Sequence, residues 1–176
     1  MAIKYCRPPR LKSFDYTQPG AYFITINAFY KNNFFGKLSN NFVSLNKFGC
    51  IASESWKEIP IHFSNIQLDE FIIMPNHLQG IIWIIPSGDT ACCVSTEYQS
   101  EVYEIFGKPV KNSIPTIIRS YKSAVTRLIH QQNPDLRIWQ SNYFEHVIRN
   151  NDDLEKTREY ILFNAYDRFD NSVDIL

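Results

Sequence analysis

At 176 residues, with 44% hydrophobic and 15% aromatic composition, the chain has the length of one domain and enough apolar material for a sizeable core. Lys and Arg number 18 against 18 Asp and Glu, and a formal net charge of zero speaks against a protein that coats nucleic acid nonspecifically, while leaving room for a basic face. No apolar run approaches the roughly eighteen residues of a membrane span, and Met1-Ala2-Ile3-Lys4-Tyr5-Cys6-Arg7 holds no apolar secretion segment, so a cytoplasmic chain without membrane contact is expected. Cys6, Cys50, Cys92 and Cys93 lack CxxC spacing and are expected as reduced thiols.

A single domain over 1–176 is predicted, with a basic N-terminal arm at about 1–14 in which Lys4, Arg7, Arg10 and Lys12 alternate with Tyr5 and the stiff Pro8-Pro9 pair. Such an arm suits the tracking of phosphates. Residues 21–29 (AYFITINAF) follow a Pro19-Gly20 turn signal and are rich in β-branched and aromatic side chains, which predicts a strand. Phe42 to Leu45 is a shorter one. Phe48, Ile51, Ala52, Trp56 and Ile59 recur at helical intervals between Asn46 and Pro60, with Pro60 as the stop.

Ile66 to Met74 and His77 to Ile85 read as two strands around Pro75-Asn76; the second is apolar on both faces and so central and covered on both sides. Residues 86–112 show no sustained period and read as a long loop. Ser113 can cap a helix whose apolar stripe runs through Ile114, Ile117, Ile118, Tyr121, Ala124, Val125, Leu128 and Ile129, with Arg119 and Lys122 on the opposite face. Ile138 to Ile148 is predicted as a strand, and Asp152 with Glu155 as the start of a last helix reaching about Asn164. Strands and helices interleaved in this way suit an α+β sandwich, one antiparallel sheet with helices packed mainly on one face.

Polar groups stand out in Phe71-Ile72-Ile73-Met74-Pro75-Asn76-His77-Leu78-Gln79-Gly80-Ile81-Ile82. Burying each without a partner costs roughly 1–3 kcal/mol, so His77 and Gln79 call for an ion, a ligand or a compensating side chain. Two residues apart on a strand, they point to the same face. On the last helix, Tyr160 and Asn164 are four apart and share one surface, at the flank of a stripe formed by Leu154, Ile161 and Ala165.

Met74-Pro75-Asn76-His77-Leu78-Gln79-Gly80 resembles the HUH motif (His, hydrophobic, His) of single-tyrosine transposases of the IS200-like family, and especially of the REP-associated tyrosine transposases. Gln79 stands where the motif carries its second His. The likeness continues, in the family's order, in Phe14 to Ile26, Ile118 to Arg127, Ile138 to Asn150 and Arg158 to Asn164. It implies a ferredoxin-like fold and a DNA endonuclease and strand transferase that acts on single-stranded, hairpin-bearing DNA. Residue by residue, it implies Tyr160 as the nucleophile, leaving a 5′-phosphotyrosine, and His77, Gln79 and Asn164 as ligands of a divalent ion, Mg²⁺ or Mn²⁺. A phenol of pKa about 10 is mostly protonated at neutral pH, so the reaction needs charge stabilisation at the phosphate.

The same resemblance makes Arg7, Arg10, Lys12, Arg119, Lys122 and Arg149 candidates for DNA contact and implies a monomer or a homodimer, while the position of His146 beside Glu145 and Tyr143 suits an auxiliary role in proton transfer or DNA contact. Replacing imidazole by a neutral amide oxygen weakens metal binding. The alternative function is therefore a catalytically impaired protein that keeps the fold and the binding of single-stranded or hairpin DNA.

Overall fold

The computed structural model describes residues 14–39, 42–86 and 110–170, the last six as backbone only. The basic arm, Cys6, Cys92, Cys93 and most of the loop expected at 86–112 lie outside the described residues, while Cys50 is exposed and reduced.

Four strands build the central sheet: β1 (Gly20–Asn27), β4 (Ile66–Met74), β5 (His77–Ile84) and β6 (Phe144–Ile148). They lie in the order β4-β5-β1-β6, and every neighbouring pair is antiparallel. With α1 (Lys47–Lys57) between β1 and β4, and α3 (Ile114–His130) between β5 and β6, the chain runs βαββαβ, the ferredoxin-like order. A separate hairpin of β2 (Gly36–Ser39) and β3 (Phe42–Leu45) is inserted before α1, and a short α2 (Ile59–His62) follows it. No helix among the described residues is long and apolar enough to cross a membrane.

Strand alternation decides which residues meet which helices. Tyr22, Ile24 and Ile26 of β1, with Leu78 and Ile82 of β5, face α1 and α3 in the main core, which also takes in Trp56, Ile117, Ile118, Tyr121 and Val125. Gly80 belongs to this face because Trp56 closes over it: a Cβ there would stand 2.8 Å from the Phe71 Cβ and 2.8 Å from the Trp56 ring. The opposite face carries a smaller cluster of Ala21, Phe23, Ile81, Leu154 and Ile161. Leu154 and Ile161 come from α4 (Asn151–Asp170), the one helix among the described residues that contributes to this cluster. The predicted arrangement thus holds for α1, α2 and α3, whereas α4 packs on the other side of the sheet.

Several boundaries differ from the sequence reading. Pro60 does not end a helix; it sits in the first turn of α2, where its missing N–H has no partner to lose. Residues 138–143 are not strand: Trp139 makes one isolated bridge to Ala28, and Asn142 turns the chain at φ 70° before β6 begins. The last helix is capped by Asn150, whose side-chain oxygen accepts from the Asp153 N–H at 2.9 Å, rather than by Asp152. It also continues beyond Asn164 to Asp170. Ser113 caps α3 as expected, its hydroxyl accepting from the Thr116 N–H.

Candidate active site

The antiparallel register sets Asn27 opposite His77 and Thr25 opposite Gln79, on the face that α4 covers. His77, Gln79 and Asn164 are 4%, 5% and 5% exposed, whereas Tyr160 is 50% exposed. A buried polar trio therefore lies beneath an accessible phenol. Asn164 Nδ2 donates to Gln79 Oε1 and stands 3.4 Å from His77 Nε2. Gln79 Nε2 in turn donates to the Tyr160 hydroxyl at 3.3 Å. The structure brings Tyr160, His77, Gln79 and Asn164 together at one place, although they come from strand and helix positions more than 80 residues apart.

Asn76 completes the group. Its side-chain oxygen lies 2.7 Å from His77 Nδ1, which fixes the tautomer with the proton on Nδ1 and leaves the Nε2 lone pair facing Asn164. Rotation of the Asn164 amide by about 180° replaces its NH₂ with a carbonyl oxygen. One imidazole nitrogen and two amide oxygens would then converge. These atom types fit a divalent cation, and the amide oxygens favour a hard one such as Mg²⁺ or Mn²⁺. The set brings no negative charge, and no cluster of three or more His, Cys, Asp or Glu occurs among the described residues.

The tyrosine helix is tied to the sheet by ionic contacts that the sequence reading missed. Arg158 donates from Nε and Nη2 to the two carboxylate oxygens of Asp69 on β4, at 3.0 and 2.6 Å, and from Nη1 to Glu155 at 2.7 Å. Trp83 Nε1 donates to the same Asp69 carboxylate at 2.9 Å. Burial pushes the Asp69 carboxyl up, but the hydrogen bonds from Arg158, Trp83 and the Glu70 N–H outweigh it and hold Asp69 below the usual carboxylate range. The Phe23 ring meets Tyr160 edge-on, with 6.1 Å between centroids. An acidic residue interrupting an apolar strand, with an arginine two positions before Tyr160, was the available signal.

Other predicted residues are placed elsewhere. His146, on β6, donates to Asp153 in the first turn of α4 at 3.0 Å. The hydrogen bond from His146 leads the interactions that hold the Asp153 carboxyl below its ordinary value. Arg149 is exposed just after β6, its backbone N–H donating to the same carboxylate. Arg119 and Lys122 belong to α3, on the opposite side of the sheet from Tyr160. Lys122 spends its ammonium on the carbonyls of Gln140 and Asn142, at 2.8 and 2.7 Å, and burial lowers its pKa to about 8. Its charge thus shapes the turn that replaces the expected strand. Arg7, Arg10 and Lys12 lie outside the described residues.

No protein-family profile matches the chain. A Haemophilus influenzae protein described as uncharacterized is 36% identical over 162 residues, covering 92% of this chain and 89% of its own. Among solved structures, that of the REP-associated tyrosine transposase bound to a REP hairpin aligns over 94% of this chain and 74% of its own, at 16% identity and a TM-score of 0.57. A structure from Deinococcus radiodurans R1, provisionally described as a transposase, covers 89% of this chain and 96% of its own, at 12% identity and a TM-score of 0.48.

Proposed function

We propose that this chain, which belongs to one protein family with the Haemophilus influenzae protein and has the fold of the REP-associated tyrosine transposase, is a single-tyrosine DNA strand transferase acting on single-stranded, hairpin-bearing DNA. The observation that carries this reading is the half-exposed Tyr160, whose hydroxyl accepts from the same Gln79 amide that, with His77, meets buried Asn164. An ordinary packing tyrosine has no need of such neighbours.

In the reaction, the Tyr160 oxygen attacks a backbone phosphorus and the bond from phosphorus to the 3′-oxygen breaks. The DNA 5′ end becomes a phosphotyrosine and a free 3′-OH is released; the phenolic proton leaves to solvent and the 3′-oxygen takes one up. Because one phosphoester replaces another, the step is reversible and the strand can be rejoined to a different 3′ end. Gln79 orients the phenol, and Asn76 keeps the Nε2 lone pair of His77 directed into the site. His77, Gln79 and Asn164 are the residues that would hold a divalent cation, which would supply Lewis-acid chemistry when bound. The remaining residues make the reaction selective by position, since a phosphate must come within reach of one exposed phenol before anything can happen.

The test is incubation of the full chain with a library of single-stranded hairpin oligonucleotides and Mg²⁺ or Mn²⁺. Wild type should form a protein–DNA adduct that survives denaturant, and Tyr160→Phe should lose it by at least about 10⁴-fold while keeping most of its DNA affinity, since only the hydroxyl is removed. The uncharged hydrogen bonds that already join His77, Gln79 and Asn164 favour one rival, a protein that binds such DNA without cutting it. Tight binding with no adduct would establish that rival.

A further inference from the structure

A polar cleft of about 140 Å³ shares His77 and Gln79 with the tyrosine cluster and is otherwise lined by Thr25, Asn27, Lys31 and Asn76. Lys31 is the one ammonium among the six. The ligand set of one imidazole and two amides is neutral, so a phosphodiester in this cleft would find its fixed positive charge in Lys31.

Lys31 reaches the cleft from an unusual turn. Tyr30 and Lys31 are consecutive non-glycine residues in the left-handed region, at φ 51° and 55°, which L side chains rarely adopt. The turn is over-determined by its surroundings. Lys31 N–H donates to the Ala28 carbonyl at 3.0 Å, Asn32 N–H to Phe29 at 3.1 Å and Phe29 N–H to Ile138 at 2.7 Å, while the Arg137 guanidinium sits 4.4 Å from the Phe29 ring centroid. Tyr30 is exposed, so burying an apolar side chain does not explain the conformation. Backbone strain maintained beside a polar cleft points to function.

We propose that Lys31 is a phosphate-binding residue, seating in this cleft a backbone phosphate of the DNA strand that runs over His77 and Gln79 to Tyr160. This rests on the DNA-cleaving reading above and adds to it a second contact point, Lys31, in the cleft that His77 and Gln79 also line.

Binding is measured with the full chain carrying Tyr160→Phe, so that cleavage does not intervene, on the hairpin oligonucleotide of the library that binds most tightly. Single neutral methylphosphonate linkages are then walked along its strand. Lys31→Ala should weaken binding by about five- to tenfold at moderate salt and reduce the logarithmic salt slope by about 0.7, the value for one phosphate contact on a single strand. Lys31→Arg should retain most of the affinity. One methylphosphonate position should weaken the Lys31 protein by a similar factor and leave the Lys31→Ala protein unaffected, a coupling that a merely structural role of the turn does not produce. If every position affects both proteins alike, or if Lys31→Ala binds as tightly as its parent, the assignment is wrong. An adduct without this coupling sinks the Lys31 site alone, and coupling without an adduct sinks only the cleavage chemistry. A chain that binds no member of the library overturns both.

Discussion

The two faces of the central sheet are built from alternate residues of the same strands, yet they carry different work. Towards α1 and α3, Tyr22, Ile24, Ile26, Leu78 and Ile82 enter a broad apolar core with Trp56 and Tyr121. Towards α4, Ala21, Phe23 and Ile81 form a smaller cluster with Leu154 and Ile161, and the neighbouring strand positions are Thr25, Asn27, His77 and Gln79. The larger apolar cluster lies on the first face. Polar groups can then be buried on the α4 face provided each finds a partner, and the partners they find are Asn76, Asn164 and Tyr160. The broad apolar core and the polar cluster are separated by the thickness of one strand.

Changes on the two faces should therefore be read by different instruments. Trp56 is fully buried, 5.2 Å from the Tyr121 ring, and closes over Gly80. Trp56→Ala should lower unfolding free energy by about 3–5 kcal/mol in urea titrations, whereas Tyr160→Phe should stay within about 0.5 kcal/mol of wild type. Equal losses would break the division between faces.

Arg158→Ala removes the bidentate tie between α4 and β4, with an expected loss of about 1–2 kcal/mol given that the arginine is one-third exposed. The loss should appear in hydrogen exchange as reduced protection of α4 amides with α3 unchanged. Acid should mimic it. The folded Asp69 carboxyl titrates below its unfolded value, so its stabilisation is present above the ordinary carboxylate range and is lost as pH falls through the depressed value. Simultaneous loss of protection in α3 and α4 would mean that the clamp belongs to the global fold. The smallest expected effect is in the ligand set: Gln79→His should tighten Mn²⁺ binding about tenfold in calorimetric titration, worth about 1.4 kcal/mol. No gain would mean that the glutamine is already a competent ligand or that the ion sits elsewhere.

Much of this division was legible in the sequence because it is written in periodicity. The alternation from Phe71 to Ile82 placed His77 and Gln79 on one face, the four-residue spacing paired Tyr160 with Asn164, and the Ser113 cap set the start of α3. What periodicity does not encode is which strand lies opposite which, and on which side a helix lands. The pairing of Asn27 with His77, the placement of α4 on the face opposite α1 and α3 and the Asp69–Arg158 tie all depend on register between distant segments. The stretch 138–143 looked like strand because it is apolar and aromatic, but the Lys122 ammonium captures two of its carbonyls and Asn142 turns the chain. β2, the tetrapeptide Gly36-Lys37-Leu38-Ser39, is too short and too polar to announce itself.

The most direct test of the central claim, that the α4 face presents one phenol for covalent chemistry on DNA, is peptide mapping of the adduct formed with hairpin oligonucleotides and Mn²⁺. The expected result is a nucleotide attached through its 5′-phosphate to Tyr160, located by fragmentation within the tryptic peptide that begins at Glu159. Attachment at Tyr143 or Tyr166, or the same adduct persisting in Tyr160→Phe, would contradict it.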